Sequence, residues 1–367
     1  MADAPPAYIF APIPQRAIVA APIAFDPFPL PLVLAQGGAL VLAGHKARRM
    51  SKSDEFPVFN RAYNTVFQPG RLSIGLITPL EAYTTEEFPT LERHLERAKL
   101  AEALGFSALW LRDVPFHVPA FGDVGQMLDP FVYLGALATV TNTIGLGIAS
   151  AVLPLRHPAH VAKSAASVDM LSNGRMLLGV ASGDRPEEYP ALAADYEGRS
   201  ARFRDSIDYI RATFDDFPKY EGQQGRLNGH MDMLPKPVSG RIPLLITGGA
   251  QQTHEWGAAN GDGWITYPRR PDAQEQTITA YRENVRATCD TDKPVMQSLY
   301  VDVMDKSTLS PRPIALGYAA GTDFLRDHLK QLQAMGVNHV ALNLRYNFDD
   351  IEETMQRIAD DILPHFA

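Results

Sequence analysis

The sequence contains only one cysteine, Cys289, in 367 residues. A single thiol cannot form an internal disulfide, a CxxC redox pair or a multi-cysteine zinc site. This scarcity is typical of a reducing compartment, so we expect a cytoplasmic protein. Basic side chains are outnumbered by acidic ones, 34 to 42, which argues against nucleic acid as a partner.

Long hydrophobic runs are also absent. The apolar stretch at residues 31–44 has two adjacent glycines, Gly37 and Gly38, in its middle and is shorter than the roughly 20 residues that a membrane-spanning helix needs. Its basic residues follow the apolar run instead of preceding it, unlike those of a secretory signal. We therefore expect no membrane segment and no membrane partner.

Residues 1–70 differ from the rest of the chain. Their first fifty residues are rich in proline and alanine and have no steady helical or strand period. We expect residues 1–70 to be a poorly ordered N-terminal extension and residues 71–367 to form the folded domain. Translation starts either at Met1 or at Met50. If it starts at Met50, the preceding residues are a gene-calling artefact.

From residue 71 onward, short apolar runs alternate with segments of helical period, which is typical of βαβ units. The predicted strands are residues 72–77, 108–111, 144–149, 176–180, 244–247, 263–266, 295–303 and 339–344. The predicted helices are residues 91–104, 131–139, 159–171, 201–217, 252–259, 273–288, 324–335 and 351–363. Eight such pairs predict an α/β fold, a (β/α)₈ TIM barrel with insertions at its mouth. A doubly wound sheet is the alternative, but no GxGxxG follows the first strand and no P-loop occurs.

The carboxyl ends of barrel strands form the mouth, where active sites lie. Small, polar and cationic residues follow the predicted strands: Thr78, Asp113, Ala149, Ser150, Ser182, Gly183, Asp184, Arg185, Gly248, Gly249, Tyr267, Arg269, Arg270, Arg345 and Tyr346. This set has no cluster of carboxylates, so we expect no metal site. The GxSxG elbow is also missing, which argues against acyl transfer.

Residues 244–253, LLITGGAQQT, predict a strand, a glycine turn and the start of a helix. Such a turn exposes backbone N–H groups that suit a phosphate, although a plain tight turn needs glycine just as much. Arg185 and Arg199 would strengthen an anion site. An exposed helix face is the better interpretation of Arg202 and Arg204.

Two histidines follow predicted strands. His117 lies in the second mouth loop and is either an acid or base or a solvated loop residue. His157 either contacts a ligand through its imidazole or fixes the loop before the next helix. His160 stands three residues further on, but no third metal ligand is near in the sequence.

Three segments in order, IGLGIASAVLPLRHP at 144–158, VDMLSNGRMLLG at 168–179 and ASGDRPEEY at 181–189, resemble the bacterial-luciferase-like flavin monooxygenase family. The resemblance continues through residues 248–253 and 259–265 and ends near residues 362–366. It implies a (β/α)₈ barrel that binds FMN, or in some branches a deazaflavin, at the mouth. A non-proline cis peptide would lie between Ile148 and Ala149.

The resemblance also implies site residues. The expected cofactor-binding residues are Thr78, Ile148, Ala149, Ser150, Ser182, Arg185, Gly248, Gly249, Ala250 and Thr253, with the glycine turn holding the phosphate. The expected catalytic residues are Asp113, His117 and His157. Val114 stands where the family usually has a histidine, so either His117 or His157 replaces it or the chemistry needs none.

The resemblance implies a monooxygenase that uses reduced FMN and oxygen on a small organic substrate. The alternatives are a deazaflavin-dependent hydride transferase on the same barrel and a non-catalytic flavin-binding protein. Because the sequence has no separate nicotinamide-binding domain, the expected partner is an NAD(P)H-dependent flavin reductase. A homodimer is also expected from the resemblance.

Overall fold

The computed structural model describes residues 54–84, 88–119 and 128–366. The predictions for residues 1–53, including translation from Met50, concern residues outside the described part of the chain. Part of the second mouth loop, residues 120–127, lies outside it as well. No helix in the described part of the chain is both long and apolar enough to span a membrane.

Twelve strands and ten α-helices make up the described fold. The strands are β1 (Ser73–Ile77), β2 (Ala108–Leu111), β3 (Gly145–Val152), β4 (Met176–Ala181), β5 (Lys219–Gly222), β6 (Gly225–Asn228), β7 (Leu244–Thr247), β8 (Gly263–Thr266), β9 (Val295–Val303), β10 (Arg312–Ile314), β11 (Gly317–Ala320) and β12 (His339–Asn343). The helices are α1 (Arg61–Val66), α2 (His94–Ala103), α3 (Pro130–Val140), α4 (Pro158–Ser172), α5 (Glu188–Ala191), α6 (Arg199–Ala212), α7 (His254–Asn260), α8 (Pro271–Thr288), α9 (Thr322–Ala334) and α10 (Ile351–Asp361).

Eight parallel strands close into a barrel. Their order around the ring is β1, β2, β3, β4, β7, β8, β9 and β12, and β12 pairs back with β1. Because β8 also pairs with β9, the sheet has no open edge within the ring, which excludes the doubly wound alternative. All eight predicted strands and all eight predicted helices are present, with bounds that differ by a few residues.

Alternate residues of each strand face the two sides of the barrel wall. In β2, Leu109 and Leu111 pack against the surrounding helices, whereas Ala108 and Trp110 face the barrel interior. The same alternation holds in β12, where Ala341 faces inward and Leu342 outward. This alternation fixes which residues past each strand end extend over the mouth.

A segment before β1 closes the N-terminal end of the barrel. Asn60 caps α1 by accepting a 3.1 Å hydrogen bond from the Tyr63 N–H, and its amide donates to Asp169 at 3.0 Å. The buried side chains that fill this end are Phe59, Ala62, Tyr63, Val66 and Phe67. The expectation of a poorly ordered extension over residues 1–70 is wrong for residues 59–67. Their aromatic residues recur at i, i+4 spacing, and this period was obscured by the proline-rich residues that precede them.

A buried histidine joins this segment to the barrel. His339 accepts a 2.8 Å hydrogen bond from the Trp110 indole N–H at Nε2, and its Nδ1 lies 2.7 Å from the Ser73 hydroxyl. That hydroxyl donates to the Val66 carbonyl at 2.6 Å, so Nδ1 carries the proton. Burial lowers the pKa of His339 to about 3, and the imidazole is therefore neutral.

Two hairpins inserted between barrel elements were missed from the sequence. Residues 218–241 contain the β5–β6 hairpin and residues 305–322 contain β10–β11, and none of these four strands is among the predicted ones. Strand β11 runs parallel to the end of β9 and pairs with it. These strands are three or four residues long, and all but β11 are largely exposed, so they carry little of the apolar alternation that reveals a strand.

Candidate functional site at the barrel mouth

Small side chains form the floor of the mouth. Ala149 follows Gly147 on the inward side of β3, and Ala181 follows Gly179 on the inward side of β4. Below them the barrel interior is filled, because a Cβ on Gly147 would meet the Trp110 ring at 2.3 Å and one on Gly179 would meet Ile265 Cδ1 at 2.8 Å. The floor therefore suits a planar ligand.

The irregular backbone of the floor lies at Ala149 and Ser150, whose peptide bond is cis. The expected position, between Ile148 and Ala149, is wrong by one residue, because the β3–β4 ladder stays regular up to Ile148 and is interrupted beyond it. The Ser150 hydroxyl forms a hydrogen bond with the Thr247 hydroxyl across the mouth. Ala149 and Ser150 thus lie at the mouth, and their contact with a cofactor stays a prediction.

Two other expected cofactor residues do not present their side chains to the mouth. Ile148 is fully buried among the side chains that join the barrel wall to its helices. Thr78 is also fully buried, and its hydroxyl donates a 3.4 Å hydrogen bond to the Trp110 carbonyl. Thr78 was predicted as a strand-end residue and Ile148 from the expected cis peptide, yet only every second residue of a strand faces inward.

The loop after β4 holds a buried ion pair. Ser182 is 5% exposed, and its carbonyl accepts a hydrogen bond from the Tyr189 hydroxyl. Arg185 is 6% exposed, and its Nη1 lies 3.6 Å from Glu188 Oε1. Burial raises the pKa of Glu188, while the charge of Arg185 opposes the increase. The loop thus fixes one guanidinium at the rim of the mouth.

The glycine turn after β7 has the predicted strand–turn–helix form. Gly248, Ala250 and Gln251 have positive φ angles of 57°, 45° and 58°. A Cβ added to Gly249 would meet no atom closer than the Gln252 carbonyl oxygen at 4.0 Å, so the backbone there is open to a ligand. The Thr253 hydroxyl caps α7 by accepting a 3.2 Å hydrogen bond from the Trp256 N–H.

A second helix begins against this turn. The Ser200 hydroxyl in the first turn of α6 donates to the Gln251 carbonyl at 2.9 Å, and the Gln252 amide donates to the Ser200 carbonyl at 3.0 Å. Gly198 caps α6 without a side-chain hydrogen bond. The N-termini of α6 and α7 therefore both lie at the turn, where their orphan N–H groups and dipoles favour an anion.

Two arginines add positive charge beside the turn. The Arg199 guanidinium lies 3.6 Å above the Tyr196 ring and donates to the Tyr196 carbonyl at 2.7 Å. The Nε atoms of Arg199 and Arg202 are buried, and neither has a hydrogen-bond partner among the described residues. Arg202 is half-buried, so its interpretation as part of an exposed helix face is wrong, whereas Arg204 is exposed.

Asp113, the expected catalytic carboxylate, is committed to a salt bridge. Its two oxygens accept hydrogen bonds from Arg156 at 2.8 and 2.7 Å, and one also accepts from the Val152 N–H at 3.1 Å. Arg156 donates in addition to Asp129 at 2.8 Å. Burial would lower the pKa of Arg156, but these two carboxylates raise it above its usual value. This arrangement joins Asp113, at the start of the second mouth loop, to Asp129 near its end through one guanidinium.

The two expected catalytic histidines lie outside the floor of the mouth. His157 caps α4, accepting a 3.2 Å hydrogen bond from the Ala159 N–H at Nδ1, and its Nε2 lies 3.1 Å from the Gln224 carbonyl. Both ring nitrogens are thus engaged, which favours the loop-fixing interpretation. His117 is exposed, and its ring packs edge-on against Phe88 at 5.1 Å.

The sequence analysis missed several inward-facing residues of the mouth. Arg112 stands two residues beyond the inward-facing Trp110 of β2, and Tyr300 stands four residues beyond the inward-facing Met296 of β9. Tyr83 is 3% exposed and lies beneath the Arg345 guanidinium, 4.7 Å from its ring centroid. The inward and outward alternation could have identified both, within β9 for Tyr300 and extended one residue past the end of β2 for Arg112.

Comparison with known proteins agrees with this geometry. An uncharacterized protein of Mycobacterium tuberculosis is 34% identical over 198 residues, which cover 48% of this chain and 68% of the relative. An F420-dependent secondary alcohol dehydrogenase, solved with an F420–acetone adduct, superposes with a TM-score of 0.66 at 18% identity, covering 81% of this chain and 99% of that one. The oxygenating constituent of 3,6-diketocamphane monooxygenase from Pseudomonas putida, solved with FMN, gives 0.63 at 14% identity with the same coverage.

These two structures share the fold of this chain, and one was solved with FMN and the other with an F420 adduct. The family model described as luciferase-like monooxygenase matches residues 71–367. That match spans the whole barrel from the start of β1 onward. This chain therefore belongs to the luciferase-like monooxygenase family.

Proposed function

We propose that this protein is an FMN-dependent monooxygenase that acts on a small organic substrate at the barrel mouth. The observation that carries the proposal is the convergence of two helix N-termini, an open glycine turn and two arginines beside a floor of small residues. This combination suits a ligand with a phosphate at one end and a flat ring at the other. Family membership and the FMN-bound monooxygenase of the same fold support this choice of ligand.

The phosphate would lie at the glycine turn, against the N–H group of Gly249 and the guanidinium groups of Arg199 and Arg202, since the Gly248 N–H already donates to the Ile265 carbonyl at 2.8 Å. The ring system would lie on Ala149 and Ser150. Reduced FMN bound there supplies the electrons with which oxygen is activated. The protein contributes position and exclusion of water: the apolar barrel interior closes the site from below, and the inserted loops surround it.

The proton chemistry falls to groups other than Asp113. Its carboxylate is held in two hydrogen bonds to Arg156, so taking up a proton there would cost those bonds. Glu188 is buried beside Arg185, and burial raises its pKa, so it holds a proton more readily than an ordinary glutamate. We propose Glu188 as the carboxyl group of the mouth that exchanges a proton, in place of the histidine that this chain lacks at Val114.

A second candidate function is deazaflavin-dependent hydride transfer, favoured by the F420-dependent dehydrogenase of the same fold. A third, non-catalytic flavin binding, is favoured by the engagement of Asp113 and by Val114. For the monooxygenase, a separate NAD(P)H-dependent flavin reductase would supply reduced FMN. We further propose a homodimer, which the resemblance implies, in the cytoplasm, which the single cysteine favours.

The test compares FMN with riboflavin, which lacks the phosphate. Purified protein is titrated with each flavin and with F420 while flavin fluorescence is recorded. We expect FMN to bind, and the double variant R199M/R202M to weaken FMN by about tenfold or more while leaving riboflavin unchanged. The exposed Arg226→Met on the β5–β6 hairpin is the matched control.

Catalysis is tested separately by reducing the FMN complex without air and mixing it with oxygen. A flavin species that persists before reoxidation supports the monooxygenase. Reoxidation at the rate of free flavin supports a binding protein. Binding of F420 in preference to FMN contradicts the proposed cofactor and supports hydride transfer.

A further inference from the structure

A tryptophan on the outer face of the barrel wall holds the glycine turn, residues 248–251. Trp264 lies in β8 in register with Ile246 of β7, and both side chains pack toward the surrounding helices. The indole N–H of Trp264 donates a 2.9 Å hydrogen bond to the Gly248 carbonyl. Its ring stacks on Tyr281 of α8, with the ring centroids 4.9 Å apart and an angle of 24° between the rings. The indole is thus fixed between α8 and the turn.

This hydrogen bond determines where the next backbone N–H points. The Gly248 carbonyl and the Gly249 N–H belong to one trans peptide, in which the two groups point in opposite directions. Because Trp264 draws the carbonyl toward the outer face, the Gly249 N–H is directed toward the mouth. The backbone there is also open, since a Cβ on Gly249 would meet no atom closer than 4.0 Å.

The other carbonyls of the turn are held as well. The Gly249 carbonyl accepts from the Gln252 N–H at 2.8 Å, and the Ala250 carbonyl accepts from the Gln252 amide at 3.1 Å. The Gln251 carbonyl accepts from the Ser200 hydroxyl at 2.9 Å. In contrast, no described residue accepts a hydrogen bond from the N–H groups of Gly249, Ala250 or Gln251. The turn therefore presents backbone donors without acceptors, a polarity that fits an anion.

Two carboxylates stand near the turn, but neither is in contact with the Gly249 N–H. Asp184 is exposed and acts electrostatically on Tyr267, whose ring lies beside the turn. Glu255, in the first turn of α7, accepts hydrogen bonds from its own N–H and from the Thr253 hydroxyl. The Gly249 N–H is a neutral donor, so its availability does not depend on how any guanidinium is paired.

We propose that Trp264 is a positioning residue, whose indole N–H orients the Gly248–Gly249 peptide so that the Gly249 N–H binds the cofactor phosphate. Because Trp264 lies on the outer face, it acts through this peptide and not by touching the cofactor. This role rests on the proposed function, since it concerns the same phosphate site. Loss of the indole N–H should therefore weaken ligands that carry a phosphate and leave flavins without one unchanged.

The first experiment compares W264F with Y281F in the full chain. W264F keeps a ring that can stack on Tyr281 but removes the indole N–H. Y281F keeps that N–H and removes only a buried hydroxyl that has no hydrogen-bond partner among the described residues. Each protein is titrated with FMN and with riboflavin by flavin fluorescence, and circular dichroism checks its fold. We expect W264F to weaken FMN by about tenfold and to leave riboflavin unchanged, and Y281F to change neither.

Unchanged FMN affinity in folded W264F would overturn the proposal. An equal loss for FMN and riboflavin would overturn it too, because Trp264 would then act through general packing. An FMN-specific loss of the same size in Y281F would also overturn it, because the stacked ring and not the indole N–H would be responsible.

A second measurement uses the unaltered protein, so it does not depend on the folding of a variant. The sequence has only two adjacent glycine pairs, Gly37–Gly38 and Gly248–Gly249. Glycine labelled with ¹³C at the carbonyl and with ¹⁵N therefore gives carbonyl–amide correlations for the N–H groups of Gly38 and Gly249 alone. Inorganic phosphate should shift the Gly249 proton downfield. The ¹⁵N-labelled indole of Trp264 should shift with it, because hydrogen bonds at the two ends of one peptide strengthen each other.

The outcomes separate the role of Trp264 from the choice of cofactor. A Gly249 shift without a Trp264 shift would overturn the role of Trp264 and keep the phosphate site. FMN binding without any Gly249 shift would keep the cofactor and overturn the role. Shifts of both residues with phosphate, in a protein that does not bind FMN, would uphold the role and reject the proposed cofactor.

Discussion

Replacing Arg175 by methionine should destabilise the barrel more than any surface substitution. Arg175 is 1% exposed, and no carboxylate pairs with it in its described contacts. Its guanidinium donates to four backbone carbonyls and one hydroxyl at 2.7 to 3.1 Å. The acceptors are Ser172 O, Thr141 Oγ1, Ile144 O, Ala138 O and Thr141 O.

These acceptors explain why a lone cation is stable there. Ala138 and Thr141 end α3 and Ser172 ends α4, so the guanidinium lies at the negative ends of two helix dipoles. Burial lowers the pKa of Arg175 to about 10, which leaves the side chain charged at neutral pH. One residue thus satisfies the last carbonyls of two helices and joins them to the start of β3.

The magnitude follows from the bonds that are lost. Methionine fills a similar volume but donates no hydrogen bond, so five buried acceptors lose a partner. At about 1 kcal/mol for each, the free energy of unfolding should fall by about 5 kcal/mol. Urea unfolding followed by circular dichroism at pH 7 measures this loss. R175K, whose ammonium has three donors instead of five, should lose less.

The matched control is Arg226→Met, whose side chain is 70% exposed and pairs only loosely with Glu221. Its free energy of unfolding should change by less than about 1 kcal/mol. If R175M lost no more stability than this control, the assignment of Arg175 as the common partner of two helix ends would be refuted. A loss in R175M with none in R175K would instead show that charge, and not the five-donor geometry, matters.

Three further predictions concern stability. The pKa of His339 is lowered to about 3, so below pH 6.5 this histidine takes up a proton in the unfolded chain but not in the folded chain. The free energy of unfolding should therefore fall by about 2 kcal/mol between pH 7 and pH 5. In H339L, urea unfolding measured at each pH should show none of this contribution to the pH dependence. Burial would raise the pKa of Glu102, but hydrogen bonds from the N–H groups of residues 142–144 lower it. The contribution of Glu102 to the free energy of unfolding is therefore present above pH 4.5 and lost in acid. E102A should lower the free energy of unfolding by about 1–2 kcal/mol at pH 7, whereas the control E96A should change it little. Y63A should cost about 3–5 kcal/mol by opening a cavity at the closed end of the barrel, seen as a lower Tm, and an unchanged Tm would contradict the role of α1.

The barrel was predictable because its signals are local and repeated. Each strand from β1 to β12 that belongs to the ring is a short apolar run, and each is followed by a helix whose apolar face recurs at 3.6-residue spacing. Segment 59–67 escaped for a physical reason: a single six-residue helix shows fewer than two turns of periodicity, and its burial depends on the barrel that it closes. Long-range packing of this kind leaves little trace in a window of sequence.

The site was predictable in part for the same reason. The glycine turn carries its own geometry, so Gly248, Gly249 and Thr253 could be placed from their spacing alone. Asp113 shows the limit: its position was predicted, yet its chemistry is set by Arg156, a residue 43 positions away that also binds Asp129. The identity of a strand-end residue indicates which interactions its side chain can form. The partner that folding brings to it decides whether that side chain binds a ligand or stabilises the barrel.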